Sequence, residues 1–195
     1  MRLTGGTVML RKRLRRFATL TIATCGVLAL LPQAPALAAS APVLAASQGP
    51  YNIIGESSNR CIDVPHGTTE NVQVIIYGCK AGAVNQYWHF NDSYPGYYYI
   101  KNDLTGKCLN VQGASQQTNA AIIQYPCSAV DNERWYPRLV AVSGSTDYYH
   151  LVSLDSALCI TAAGNGTANS VKLVQSGCDP SNYSQLWTWK RPAGV

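Results

Sequence analysis

Histidine, cysteine and carboxylate are the side chains with which a chain of this size does covalent or metal chemistry, and here their spacing argues against most of it. His66, His89 and His150 each stand isolated, in a loop or beside a hydrophobic motif, so none reads as the base of a nucleophilic triad. No Cys-x-x-Cys occurs, and the histidines fall at no ligand spacing from the cysteines, which leaves no zinc signature. No metal and no cofactor is implied. The ten acidic residues would allow some carboxylate pair in three dimensions, the equipment of a glycoside hydrolase. Nothing singles out such a pair, and the loops are too short to wall a deep cleft. The cysteines carry a clearer message. Cys25 sits in an N-terminal apolar run, and the other six fall into Cys61/Cys79, Cys108/Cys127 and Cys159/Cys178, separated by 18, 19 and 19 residues. Six cysteines could pair in fifteen ways. A near-constant separation reads as three local disulfides, each worth roughly 3 kcal/mol through the loop that it closes.

The elements around these pairs repeat with them. Ten and eight residues before the first cysteine of each pair stand Tyr51 and Ile53, Tyr98 and Ile100, then Tyr149 and Leu151. The first cysteines open "CIDV", "CLNV" and "CITA", and the second ones close "VIIYGC", "AIIQYPC" and "VKLVQSGC". Six to nine residues later come "QYW", "ERW" and "QLW", whose tryptophans Trp88, Trp135 and Trp187 are 47 and 52 residues apart. Each unit therefore holds four short β-branched or aromatic runs bounded by turn clusters such as "GESSN", "DLTGK" and "AAGNGT". No helical period is sustained. Twelve strands in three repeats, about 51–91, 97–138 and 148–190, predict an all-β single domain over 50–195 that closes into a barrel and leaves no open edge. The three tryptophans are expected to fill that barrel.

The N-terminus reads differently. A basic block from Arg11 to Arg16, an apolar run from Phe17 to Leu31 and the small-residue site "APALA" make a secretory signal peptide over 1–38, followed by a flexible Ala/Pro/Ser leader over 39–49. Fifteen apolar residues are too few to span a bilayer comfortably. Six of the 15 basic residues leave with this segment, so nine bases face ten acids and the mature chain carries a net charge of −1. No basic stripe remains to hold phosphates, so nucleic acid and anionic membrane lose their support as partners. The reading is a secreted, bacterial, monomeric protein.

Three copies of Cys-x-[Asp/Asn]-Val or its variant and of Gln-x-Trp or its variant, with an aromatic residue two before the second cysteine in the first two repeats, resemble the ricin-B-type β-trefoil lectins. The resemblance covers about Tyr51 to Lys190. It implies a six-stranded barrel capped by three hairpins with pseudo-threefold symmetry, and one potential sugar pocket per repeat. It also implies which residues would form each pocket: an acceptor from Cys-x-Asp, an aromatic platform, the polar residue before Gln-x-Trp, and the Gln as a support from behind. These groups suit a sugar, which presents hydroxyls on one side and a C–H patch on the other. In the first repeat they are Asp63, Tyr77, Asn85 and Gln86. In the second they are Asn110, Tyr125, Asn132 and Glu133, with a neutral acceptor in place of a charged one. In the third Thr161, Ser176 and Ser184 offer short hydroxyls and no ring. A further Gln often found four before the second cysteine is Ile75 in the first repeat and Ile123 in the second. The implied function is non-covalent binding of a galactose-like, arabinose or xylan-type glycan, best in the first repeat and weaker in the second. A trefoil that has lost sugar binding and serves protein contact or inhibition is the alternative, and a small glycoside hydrolase the remoter one.

Overall fold

The computed structural model of the chain describes residues 48–194. The expected signal peptide and most of the expected leader lie outside the described residues. Twelve strands follow in three groups of four. The first is β1 (Gln48–Gly55), β2 (Arg60–Asp63), β3 (Ile75–Gly78) and β4 (Trp88–Tyr94). The second is β5 (Tyr97–Asn102), β6 (Cys108–Val111), β7 (Ile122–Tyr125) and β8 (Arg134–Ser143). The third is β9 (Thr146–Ser153), β10 (Cys159–Ala162), β11 (Val171–Ser176) and β12 (Trp187–Lys190). Between them lie six short 3-10 turns. β1 starts two residues ahead of the expected Pro50, within the stretch read as leader, because Gln48 pairs with Phe90 of β4. Gly49 makes this crossing feasible: a Cβ there would sit 2.8 Å from both the Trp88 carbonyl and the His89 ring.

The first and last strands of each repeat form a closed antiparallel ring. β1 pairs β4, β4 pairs β5, β5 pairs β8, β8 pairs β9, β9 pairs β12, and β12 returns to β1. Strand alternation supplies the core: in β5 Tyr98, Ile100 and Asn102 point inward while Tyr97, Tyr99 and Lys101 do not. The β4–β5 reversal turns on Gly96, whose φ of 81° lies in the left-handed region that a side chain disfavours. The inner strand pairs β2–β3, β6–β7 and β10–β11 are hairpins over one end of the ring. They touch one another through Val171 with Ile76, Gln73 with Ile123 and Ala121 with Val174.

The three motif tryptophans are 0–1% exposed and share one core cluster with Ile53, Ile100, Leu151, Ile62, Leu109 and Ile160. Each indole N–H is satisfied by the same carbonyl of its own repeat: Trp88 donates to Ile62, Trp135 to Leu109 and Trp187 to Ile160, at 2.9, 3.0 and 3.0 Å. Burying one such ring removes roughly 200 Å² of mostly apolar surface from water, worth on the order of 5 kcal/mol before entropy. Each repeat carries one disulfide: Cys61–Cys79, Cys108–Cys127 and Cys159–Cys178. The fourth tryptophan, Trp189, breaks the threefold pattern. It stacks on Tyr149 with centroids 4.4 Å apart and packs against Phe90 at 4.9 Å.

Candidate functional site

In the first repeat the β2–β3 hairpin has two unlike faces. Ile62 and Ile76 are opposed and fully buried in the core, while the next pair, Asp63 with Ile75, and the preceding pair, Cys61 with Tyr77, lie on the other face. The Cys61–Cys79 bridge ties the open end of this hairpin. Behind it a 3-10 turn, Val84–Gln86, supplies two amides. Asn85 donates through Nδ2 to Asp63 Oδ2 (3.0 Å) and to the Val64 carbonyl (2.9 Å). Gln86 donates through Nε2 to Asp63 Oδ2 (2.8 Å) and the Gly78 carbonyl (3.0 Å), and its Oε1 accepts from the Lys80 amide (3.0 Å). Both donors reach one carboxylate oxygen, so Oδ1 is left to accept from something else. Burial pushes the Asp63 carboxyl above its ordinary value, and the bonds from Gln86 and Asn85, then the charges of Lys80 and His66, oppose that rise.

These residues wall an open cavity of about 400 Å³. Asp63, Tyr77 and Asn85, which the family resemblance groups in one pocket, all line it. Gln86, grouped with them as a binding residue, is fully buried and does not reach the wall. Its place is behind Asp63. Six other lining residues carried no binding signal in the sequence: Pro65, His66, Gly67, Lys80, Leu104 and Ser170. Leu104 comes from the β5–β6 turn of the second repeat and Ser170 from the β10–β11 hairpin of the third.

The second repeat keeps the geometry and exchanges the polarity. Asn110 donates through Nδ2 to Glu133 Oε1 (3.1 Å), and its Oδ1 accepts from Asn132 Nδ2 (3.2 Å), which also donates to the Val111 carbonyl (2.9 Å). Glu133 is fully buried, and its Oε2 accepts from the Ser128 amide (2.8 Å). The cavity here, about 530 Å³, is lined by Asn110, Tyr125, Asn132, Asn71, Gln112 and Ser128 among others, with no charged side chain. The third repeat closes on itself. Thr161 and Ser176 share a 2.7 Å hydrogen bond, and Gln185 Nε2 donates to both and to the Gly177 carbonyl. Ser184 turns its hydroxyl to Asn165 and Asn182. Neither a carboxylate nor a ring stands where the first two repeats have one.

A second brace runs between repeats. Gln124 donates through Nε2 to the Thr68 carbonyl (2.7 Å) and the Glu70 carbonyl, so the second repeat holds a loop next to the first pocket. Gln175 does the same for the Ser115 (2.7 Å) and Gln117 (2.9 Å) carbonyls beside the second pocket. Both glutamines sit three before a second cysteine, a recurrence that the sequence displays but does not explain. Among the described residues one histidine lies near two sulfurs, His150 beside Cys159 and Cys178. Those sulfurs are bonded to each other and offer no thiolate to a metal.

Comparison with known proteins agrees with this geometry. The designed threefold-symmetric protein ThreeFoil superposes with a TM-score of 0.66 at 30% identity, covering 73% of this chain and 98% of that one. An exo-β-1,3-galactanase from Clostridium thermocellum matches at 0.65 and 23% identity over 72% of this chain, which spans only 29% of the enzyme. A Polyporus squamosus lectin, solved with a sialylated epitope, matches at 0.60 and 20% identity, over 74% of this chain and 50% of the lectin. No curated protein sequence matches the chain. The model of the ricin-type β-trefoil lectin domain matches residues 49–187, and with three braced hairpins on a closed six-stranded ring the chain belongs to that family.

Proposed function

We propose that this protein is a secreted carbohydrate-binding module that holds glycan units without cleaving them, chiefly in the first-repeat pocket and more weakly in the second. One observation carries the reading. Asp63 is pinned by two amides through a single oxygen, with the other oxygen unbonded beside an open cavity that Tyr77 and Asn85 also line. An oriented carboxylate accepts from paired hydroxyls, and a ring beside it takes the C–H patch. The same cavity argues against hydrolysis, since Asp63 is the one acid in its lining and glycoside cleavage ordinarily uses two. The sequence adds the export segment, with cleavage after Ala38. The neighbours above include a galactan-degrading enzyme and a lectin, which favours galactose-like units among the candidate glycans, with arabinose and xylan-type chains as the alternatives.

The test is a glycan and polysaccharide panel run on the exported protein and on Asp63→Ala. Removing a charged hydrogen-bonding partner is expected to weaken binding by roughly 10- to 100-fold. Binding that survives the substitution unchanged would place the site elsewhere. Wild-type protein that retains no glycan would favour a trefoil devoted to protein contact. Release of reducing sugar from the same panel would overturn the non-enzymatic reading.

A further inference from the structure

Within the carbohydrate-binding reading, on which this step rests, the first pocket differs from the second in charge as well as in polarity. Counted from the shared motifs, Lys80 of the first repeat is Ser128 in the second, and His66 is Gly113. The first cavity is therefore lined by an acid, a lysine and a histidine, and the second by neutral side chains alone. Lys80 has no carboxylate partner among the described residues, where the ion pairs are His89 with Asp103 and Arg134 with Asp131. Its ammonium instead lies over the Tyr77 ring, 4.7 Å from the centroid.

That position matters for the ligand. Tyr77 is the ring on which the C–H patch of a sugar would stack, and the ammonium already occupies a face of it. A neutral sugar must push the cation off and lose the cation–π attraction. A sugar with its own carboxylate keeps the ammonium at the pocket and pairs with it, in a charge-assisted bond about twice as strong as a neutral one. Asp63 shares this cavity, and the Lys80 charge acts on its carboxyl as well. It lies on the same hairpin face as Tyr77, where Asp63 opposes Ile75 and Tyr77 opposes Cys61, and its Oδ1 is left to accept from hydroxyls. His66 adds a further ring donor to the rim of the cavity. We infer that the first-repeat pocket selects sugars bearing a carboxylate, the uronate units of an acidic polysaccharide, while the second repeat takes neutral units.

Calorimetric titration of the exported protein with three methyl glycosides separates the outcomes. They are the uronate, its carboxyl methyl ester and the corresponding neutral hexose, each in galacto and gluco configuration. The uronate is expected to bind about tenfold more tightly than its ester and the neutral sugar at low salt, with the preference shrinking as salt screens the pair. In Lys80→Gln the preference should vanish while the neutral sugar binds at least as well as before, and Lys80→Arg should retain it. The Lys80 side chain is exposed and its structural contact is made by the backbone amide, so both variants keep the fold. Equal binding of acid and ester, or a preference that survives Lys80→Gln, overturns this inference and leaves the carbohydrate-binding reading standing. Absence of binding to all three, together with an empty glycan panel, overturns that reading and this inference with it.

Discussion

The first and second repeats solve one structural problem with the carboxylate and the amide exchanged. Each must hold the polar residue two after its first cysteine against the residue that opens its tryptophan tripeptide. In the first repeat a carboxylate, Asp63, accepts from an amide, Gln86. In the second an amide, Asn110, donates to a carboxylate, Glu133. Both arrangements satisfy the buried groups, and both tie down the loop after the second cysteine through a backbone amide, that of Lys80 or Ser128. They differ in what remains for a ligand. The first leaves an oxygen of the charged group at the cavity. The second sinks its charge behind the wall and engages both polar atoms of Asn110. Scaffold and site are therefore separable, and the third repeat shows the limit: Gln185 still braces the loop through the Asp179 amide while the ligand-facing residues have turned to one another.

The exchange can be broken on purpose. Gln86→Glu alone places a second carboxylate where Nε2 now donates to Asp63, with both groups buried. It should cost about 2–3 kcal/mol in urea unfolding at neutral pH. The cost should shrink toward acid pH, where one carboxyl takes up a proton. Adding Asp63→Asn rebuilds the polarity of the second repeat and should recover most of that loss, whereas a double variant no more stable than the single one would show that the two braces are not equivalent. The reverse conversion, Asn110→Asp with Glu133→Gln, should raise the second pocket from a weak site to one comparable with the first. Retention on a polysaccharide bound by the wild type is then expected to rise about tenfold through two engaged sites. No gain would mean that Ile123, Ser128 or Tyr125 limits that pocket rather than polarity.

A smaller effect concerns pH. Because burial raises the Asp63 carboxyl above its ordinary value, ligand binding that needs the ionised form should fall off at a higher pH than an exposed aspartate would give. The contribution to folding runs the other way. A raised pKa means that the native state favours the proton, so the stability linked to Asp63 is present below the unfolded-state value and is lost as pH rises through the folded one. Binding and unfolding titrations of wild type and Asp63→Asn should show both trends, and the substitution should remove them. A wild-type binding curve that is flat down to the range of ordinary carboxylates would contradict the role given to Asp63.

Residue by residue, Asn110 and Glu133 read in the sequence as two separate departures from a working site. The structure shows one compensated exchange, since each makes sense only beside the other. Gln86, counted with the binding set as a support from behind, is buried and acts through Asp63. Lys80, Leu104 and Ser170 have no spacing that would mark them. Lys80 follows a cysteine at a position that is Ser128 and Asp179 in the other repeats, and the other two enter the first cavity from the second and third repeats.

The sequence by itself determined the three repeats, the disulfide pairing and the tryptophan core, and its family resemblance pointed to three of the cavity residues. Those features are written locally: a disulfide loop closes within twenty residues, strand alternation has a period of two, and a repeat restates each position three times. Only the tertiary structure decided which oxygen of Asp63 is free, that a lysine covers the Tyr77 ring, and that loops from all three repeats meet at one pocket. Those outcomes depend on closing six strands into a ring and packing three hairpins on its end, which brings together side chains that no interval along the chain relates.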